Sequence, residues 1–311
     1  MRAAAILGLS SSSKHLHPFT RNSDAEWQLG LPICRTDVGA VVVFGGDGTV
    51  HRHLEQLVRL QLPVLVVPRG SGNDFARALG LNKVADSLLA WRQFISGKGK
   101  VRQIDLGVVS PQNTGRSLVS GLLVPDSSPP SKPPKTEGEK YFCCIGGVGL
   151  DSEIARRANR LPRWVRSHGG YALGLLPALL NFKPMTINLH SAHASSTFGP
   201  FHYQSVVMMA AFANAPGYGG GIQIAPRAQF EDGKLDICLV EHMRRLRLLR
   251  LFPSVYSGSH LNVDEVKYFQ TESLRIETDR PVQVYADGEY ICDTPIEVRV
   301  ERKALPVIVP A

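Results

Sequence analysis

Two glycine-rich segments hold residue types able to handle phosphate: Gly45-Gly46-Asp47-Gly48-Thr49, and Pro68-Arg69-Gly70-Ser71-Gly72-Asn73-Asp74-Phe75-Ala76. Glycine lets a backbone turn sharply and approach a ligand with no Cβ in the way. Successive exposed N–H groups, added to the positive end of a following helix, favour an anion. Asp47 is out of place in an anion site unless it handles a proton or a metal ion, and a nucleotide carried with Mg²⁺ removes that conflict. Taken alone, Gly45 to Thr49 also reads as a strand-to-helix turn with a capping aspartate. The second segment weakens that reading by repeating the pattern. Neither segment is G-x-G-x-x-G or G-x-x-x-x-G-K-[ST], so the common nucleotide folds match poorly.

The surrounding elements explain how the two segments meet. Ala40 to Phe44 is a continuous apolar run, suited to a parallel strand buried on both faces, and a helical pattern follows over Val50 to Leu60. Leu62 to Val67 is a second such run, followed by a helix around Asp74 to Leu79. Strand–glycine–helix units in series predict an α/β layer with a parallel sheet. Both glycine turns then lie at the carboxyl ends of strands, where such folds bind ligands. Past Ile104 the texture changes. Residues 109–140 are rich in Ser, Pro, Lys and Gly and predict a mobile loop. Ser205–Ala213, Leu235–Val240, Leu274–Glu277, Val282–Tyr285 and Ile296–Val300 have strand character and predict a mainly antiparallel second domain. The expected division is residues 1–105 and 106–302, with a final strand over 303–311 returning to the first domain.

With 311 residues the chain can build two cores. A net charge of +8 and a pI near 9.4 draw it toward anionic surfaces, without choosing among membrane, nucleic acid and phosphorylated small molecules. No stretch approaches the ~20 apolar residues that span a bilayer. Tyr171 to Phe182 is shorter, contains Pro177 and reads as a buried helix. The start of the chain, MRAAAILGLSSSS, reads as a first strand, with no A-x-A cleavage pattern after it. Five scattered cysteines (Cys34, Cys143, Cys144, Cys238, Cys292) with no C-x-x-C pair predict reduced thiols in a cytoplasmic protein.

At their spacing of about 20 residues, the two glycine segments resemble the catalytic domain of the diacylglycerol kinase and sphingosine kinase superfamily, the soluble bacterial diacylglycerol and lipid kinases in particular. GGDGT by itself also occurs in NAD kinases and phosphofructokinases. Tyr141 to Ala155 (YFCCIGGVGLDSEIA) and Gly219 to Asp236 (GGGIQIAPRAQFEDGKLD) extend the resemblance. It implies an N-terminal α/β nucleotide-binding domain and a C-terminal β-rich, sandwich-like domain, with the active site in the cleft between them. The implied cofactors are ATP and Mg²⁺, and the implied reaction is transfer of the γ-phosphoryl group to a lipid hydroxyl, diacylglycerol by default. Gly45, Gly46, Asp47, Gly48, Thr49, Gly70, Ser71, Gly72, Asn73 and Asp74 are the implied nucleotide contacts. Ala286-Asp287-Gly288-Glu289 corresponds to a family segment facing the γ-phosphate, where Glu289 is the implied base, Asp287 stands beside it and Asp47 organises Mg²⁺. The Asp47 and Glu289 roles are exchangeable between family branches. A structural Mg²⁺ is implied at Asp232, with the carbonyls of Gln229 and Lys234, although Glu231-Asp232-Gly233 read locally is a hairpin turn. The implied lipid partner sits at a membrane surface, with its acyl chain in the interior of the second domain.

The chain departs from the family pattern in two places. An N-P-x-[SA]-G loop is absent after the first strand, where Ala4 to Lys14 offers serines, and His51-Arg52 stands where Asn and Glu are usual after the glycine loop. An NAD kinase-like enzyme and a lipid- or nucleotide-binding protein without catalysis therefore stay as alternatives. His15, His17, His51, His53, His190 and His193 show no recognised metal spacing. Met243 to Phe252 places Arg244, Arg245, Arg247 and Arg250 among leucines. It reads either as a surface helix with snorkelling arginines or as a dock for anionic lipid. Nothing resembles a nucleic-acid module. A homodimer is an expectation that no residue pattern carries.

Overall fold

The computed structural model describes residues 1–21, 25–112, 138–160, 177–180, 182–191 and 201–311. Four strands start the architecture: β1 (Arg2–Leu7), β2 (Glu26–Leu29), β3 (Ala40–Gly45) and β4 (Val64–Pro68). They pair in parallel in the order β2-β1-β3-β4. All six residues of β3 are buried, as its unbroken apolar run requires of a strand covered on both faces. Helix α1 (Ser13–Thr20) leaves β1, α2 (Asp47–Leu60) leaves β3 and α3 (Asp74–Ala78) leaves β4, with α4 (Val84–Ile95) following. Val50, Leu54, Leu57 and Val58 recur at helical spacing in α2, and all four are buried.

Two long strands cross from this layer into the rest of the molecule. β5 (Lys100–Pro111) and β15 (Ile296–Val309) pair antiparallel along their length. The last residues of β15 lie beside β4, with Val307 in parallel register with Val64. Its first residues pair with β12 (Ser273–Thr278). The remaining strands are β6 (Lys140–Phe142), β7 (Ile145–Gly149), β8 (Met185–Ser191), β9 (Phe201–Ala213), β10 (Leu235–Glu241), β11 (Val266–Thr271), β13 (Gln283–Ala286) and β14 (Glu289–Asp293). They run antiparallel in the order β14-β13-β7-β9-β8-β12-β15, with β10 and β11 continuing from β9. Helix α5 (Leu150–Arg160) leaves the end of β7. The expected mixed architecture, parallel first and antiparallel second, is what the chain adopts.

The position 105/106 falls inside β5, and residues 303–309 are the end of β15 rather than a separate strand. β5 and β6 trim the expected loop over 109–140 at both ends, while residues 113–137 lie outside the described residues. Most of Tyr171 to Phe182 also lies outside them. Among the described residues no helix is long and apolar enough to cross a membrane. The five cysteines are free, three of them buried. The interior of the antiparallel part is packed with side chains, among them Phe142, Ile187, Phe212, Leu239, Ile276 and Val298. Phe142 and Phe212 meet edge to face at 5.5 Å. An acyl chain would have to displace this core, so the interior expected to receive one is already filled.

Candidate active site

The α2 N-terminus is where the two glycine segments meet. Gly45 ends β3, Gly46 caps α2, and Asp47, Gly48 and Thr49 form its first turn. A Cβ on Gly46 would sit 2.7 Å from the Gly70 Cα, and one on Gly70 would sit 2.5 Å from the Gly46 Cα. The two turns therefore touch backbone to backbone, and glycine is required there for loop-to-loop approach. Gly48 is different: the nearest group to its missing side chain is Glu289 Oε1, at 3.5 Å. At Gly48 the first turn therefore faces the Glu289 carboxylate rather than the second turn.

Asn73 braces the second turn. Its Oδ1 accepts from Gly70 N at 2.7 Å and its Nδ2 donates to Gly70 O at 2.9 Å. Gly70 N–H is thereby engaged, and exposed Ser71 is left on the cleft side. Asp47 reaches from α2 to the start of α3, accepting from Asp74 N at 3.1 Å and Phe75 N at 3.0 Å. Burial, then the charge of Asp74, push its carboxyl up to about 6 against the lowering effect of those bonds. Asp74 pairs with Arg77 and accepts from Gly220 N at 3.2 Å, so it also links the first layer to the antiparallel part.

Asp287 and Glu289 arrive from the other side, at the β13–β14 hairpin. Asp287 and Gly288 both have positive φ, at 49° and 83°, the requirement of a tight Asp-Gly hairpin turn. The Asp287 carboxylate accepts from Cys143 N at 2.6 Å, Cys144 N at 2.8 Å and Ile145 N at 3.3 Å, and its own N–H donates to Ile145 O. His51 Nδ1 on α2 lies 3.4 Å from Asp287 Oδ2. Burial pulls the His51 pKa down, but the hydrogen bond and charge of Asp287, with the charge of Glu289, leave it raised overall. Glu289 is exposed and projects over Gly48.

These groups line one cleft of ≈ 690 Å³ between the parallel and antiparallel parts. Its walls include Gly45 to Thr49, Gly70 to Gly72, Asp74, Asp287 and Glu289, so the structure brings together the residues expected at the nucleotide and the reacting group, with Asn73 just behind them. It adds Arg52 and Arg69, which bring positive charge, and Tyr218 to Gly220 and Tyr256 from the second part. Arg69 Nη2 lies 2.8 Å from His15 Nε2, which fixes the guanidinium against α1. No sequence signal marked Tyr256, because its place depends on a crossing between distant segments.

Matches to known families follow the same division. The diacylglycerol kinase catalytic domain matches residues 12–109, and the YegS C-terminal NAD kinase beta sandwich-like domain matches residues 145–309. A diacylglycerol kinase of Mycobacterium tuberculosis is 32% identical over 271 residues, covering 87% of this chain and 77% of that protein. The chain belongs to the diacylglycerol and YegS-like lipid kinase family. A diacylglycerol kinase of Bacillus subtilis is 26% identical over 252 residues, covering 80% of the chain and 71% of that protein. Among solved structures, a diacylglycerol kinase from Bacillus anthracis shares the fold with a TM-score of 0.67 at 18% identity, covering 99% of this chain and 96% of its own. An NAD kinase from Archaeoglobus fulgidus in complex with ATP is a more distant fold relative, with a TM-score of 0.53 at 14% identity, covering 100% and 94%. For this lipid kinase family member, the cleft is the place where both matched domains contribute side chains.

Asp232, Gln229 and Lys234 lie apart from the cleft. Asp232 Oδ1 accepts from Lys234 N at 3.0 Å and Oδ2 accepts from Gln270 Nε2 at 3.2 Å. Both carboxylate oxygens of Asp232 are thus already engaged by protein donors. Among the described residues no group of three His, Cys, Asp or Glu side chains is gathered as a metal site.

Proposed function

We propose that this protein transfers the γ-phosphoryl group of ATP to the hydroxyl of diacylglycerol, forming phosphatidic acid. The observation that carries the reading is Glu289 projecting over Gly48, in the cleft that both glycine turns line. At the head of α2 the Thr49 and Val50 N–H groups donate to the Gly46 carbonyl, so the Asp47 and Gly48 N–H groups before them are the ones that suit a phosphate. Arg52 and Arg69 add guanidinium donors on the same wall.

The residues fit a divalent cation. The missing Cβ of Gly72 would lie 2.9 Å from Asp47 Oδ2 and 3.3 Å from Asp74 Oδ2, so two carboxylates converge on one region and crowd each other. Asp47 and Asp74 would hold Mg²⁺, which would neutralise charge developing on the transferred phosphoryl group. Glu289 orients the lipid hydroxyl and accepts its proton as the oxygen attacks phosphorus. Asp287 is less suited to that step, because its carboxylate already accepts three backbone N–H bonds, while Asp47, pushed up to about 6, is the alternative base. Asp287 instead holds the hairpin that carries Glu289, and His51 braces it from α2.

The test is phosphate transfer from labelled ATP to a panel of lipids in mixed micelles. Glu289→Gln should lower kcat by about 10²–10⁴-fold, the usual worth of a general base, and leave ATP affinity nearly unchanged. Full activity in that variant would remove Glu289 from the chemistry. Labelled NADP⁺ from NAD⁺, with no lipid product, would replace the lipid acceptor by a dinucleotide.

A further inference from the structure

Helix α6 (Arg245–Leu251) follows β10 and is a single short helix whose leucines divide between two environments. Leu248, Leu249 and Leu251 pack against the core, whereas Leu246 is 71% exposed. Arg244, Arg245, Arg247 and Arg250 are all exposed around it. Arg247 is paired with Glu265 at 2.8 Å, but no acidic partner faces Arg244, Arg245 or Arg250 among the described residues.

The tertiary structure enlarges this patch in a way the helix alone does not suggest. Arg245 Nη2 donates to the carbonyl of Phe182 at 3.3 Å, bringing exposed Lys183 and Leu180 alongside. Leu180 is 58% exposed. Arg280 Nη2 donates to the carbonyl of Lys183 at 2.9 Å, which adds a further guanidinium, itself paired with Asp279. α6 also runs straight into a one-turn helix over Phe252–Tyr256, and Tyr256, 45% exposed, lines the catalytic cleft. A basic ridge with protruding apolar side chains thus leads to the mouth of the site.

We propose that this ridge, formed by α6 with Lys183 and Arg280, seats the protein on an anionic lipid bilayer, with Leu246 and Leu180 entering the interface and Tyr256 marking the passage to the cleft. The proposal rests on the lipid kinase reading for its purpose, although the surface can be tested without it. Arginines favour an anionic membrane surface, each by roughly fivefold in affinity. Apolar side chains among them add burial at the headgroup boundary. An interfacial aromatic beside the cleft has one apolar and one polar end, as such a position requires. Nucleic acid would answer the same charge but gives no use to Leu246 and Leu180.

The experiment measures sedimentation with phosphatidylcholine vesicles, with and without phosphatidylglycerol, for the wild type, the double variant Arg244→Glu/Arg250→Glu and Leu246→Ser. Neither arginine nor Leu246 lines the cleft, and circular dichroism checks that each variant is folded. The wild type should bind the anionic vesicles in a salt-sensitive way. The double variant should bind them at least roughly 25-fold less tightly. Leu246→Ser should bind less tightly at every salt concentration. Kinase activity on detergent-dispersed lipid should be unchanged in both variants. Unchanged vesicle binding by the folded double variant would overturn the proposal, as would binding to duplex DNA without binding to vesicles. Vesicle binding that depends on these arginines in a protein that phosphorylates no lipid would uphold the surface and sink the kinase reading instead.

Discussion

Asp287 and Glu289 are close neighbours in the chain and have opposite surroundings. Three backbone N–H groups and His51 converge on the Asp287 carboxylate, whereas Glu289 projects into the open cleft. A carboxylate held by several donors is a good anchor for the backbone around it. The His51 contact has a pH signature. Its pKa is raised in the folded protein, so the folded state holds the proton more tightly than the unfolded chain. Its stabilising contribution is fully present below the unfolded value of 6.5 and is lost as pH rises through the folded one. The stability difference between the wild type and His51→Gln, read from urea denaturation, should therefore be largest near pH 5 and shrink above pH 7. A difference that grows with pH would contradict the assigned contact.

Between elements, the decisive contact is that of the β3–α2 and β4–α3 turns. Gly46 and Gly70 lie so close that either Cβ would push the turns apart. Gly46→Ala or Gly70→Ala should cost about 1–3 kcal/mol of stability, typical of forced overpacking. ATP affinity should fall as well, because the N–H groups of the two turns would no longer face one site. Gly48→Ala makes a useful contrast. Its Cβ would meet only Glu289 at ordinary contact distance, so it should cost about 0.5 kcal/mol or less in denaturation while disturbing turnover. Equal stability losses at Gly46 and Gly48 would show that the turns are not in contact.

At the scale of the whole molecule, the β5–β15 ribbon joins the parallel layer to the antiparallel part. The ribbon changes register between Glu301 and Leu305, where β15 bends and Lys303 takes a φ of 51°. Buried Asp105 on β5 holds that bend. Its carboxylate accepts from Lys303 N at 2.7 Å and Gly233 N at 2.8 Å, while its N–H donates to Phe230 O. Asp105→Ala would leave two N–H groups near the bend without their acceptor and should cost about 2–4 kcal/mol. Because the ribbon sets the position of the Glu289 hairpin relative to α2, kcat should fall more than ATP affinity. A stable, fully active Asp105→Ala protein would show that the bend does not position the cleft.

The local elements of the first layer, and the two glycine turns that line the cleft, were legible from residue type and order alone. Unbroken apolar runs over Ala40–Phe44 and Leu62–Val67 can only be satisfied by strands covered on both faces, and glycines at their carboxyl ends mark the turns. Resemblance to lipid kinases then extended the reading to Asp287 and Glu289. What chain order could not supply was the use of each group. Gly46 and Gly70 serve loop-to-loop contact, Asn73 braces a turn, and Asp47 caps a helix 27 residues away. β2, an exposed edge strand, and the full lengths of β5 and β15 were also beyond reach of local pattern, because pairing partners lie up to about 200 residues apart. Only the folded arrangement settles these matters, because hydrogen bonds and close approaches depend on where distant backbones cross, and periodicity records only which face of each element is buried.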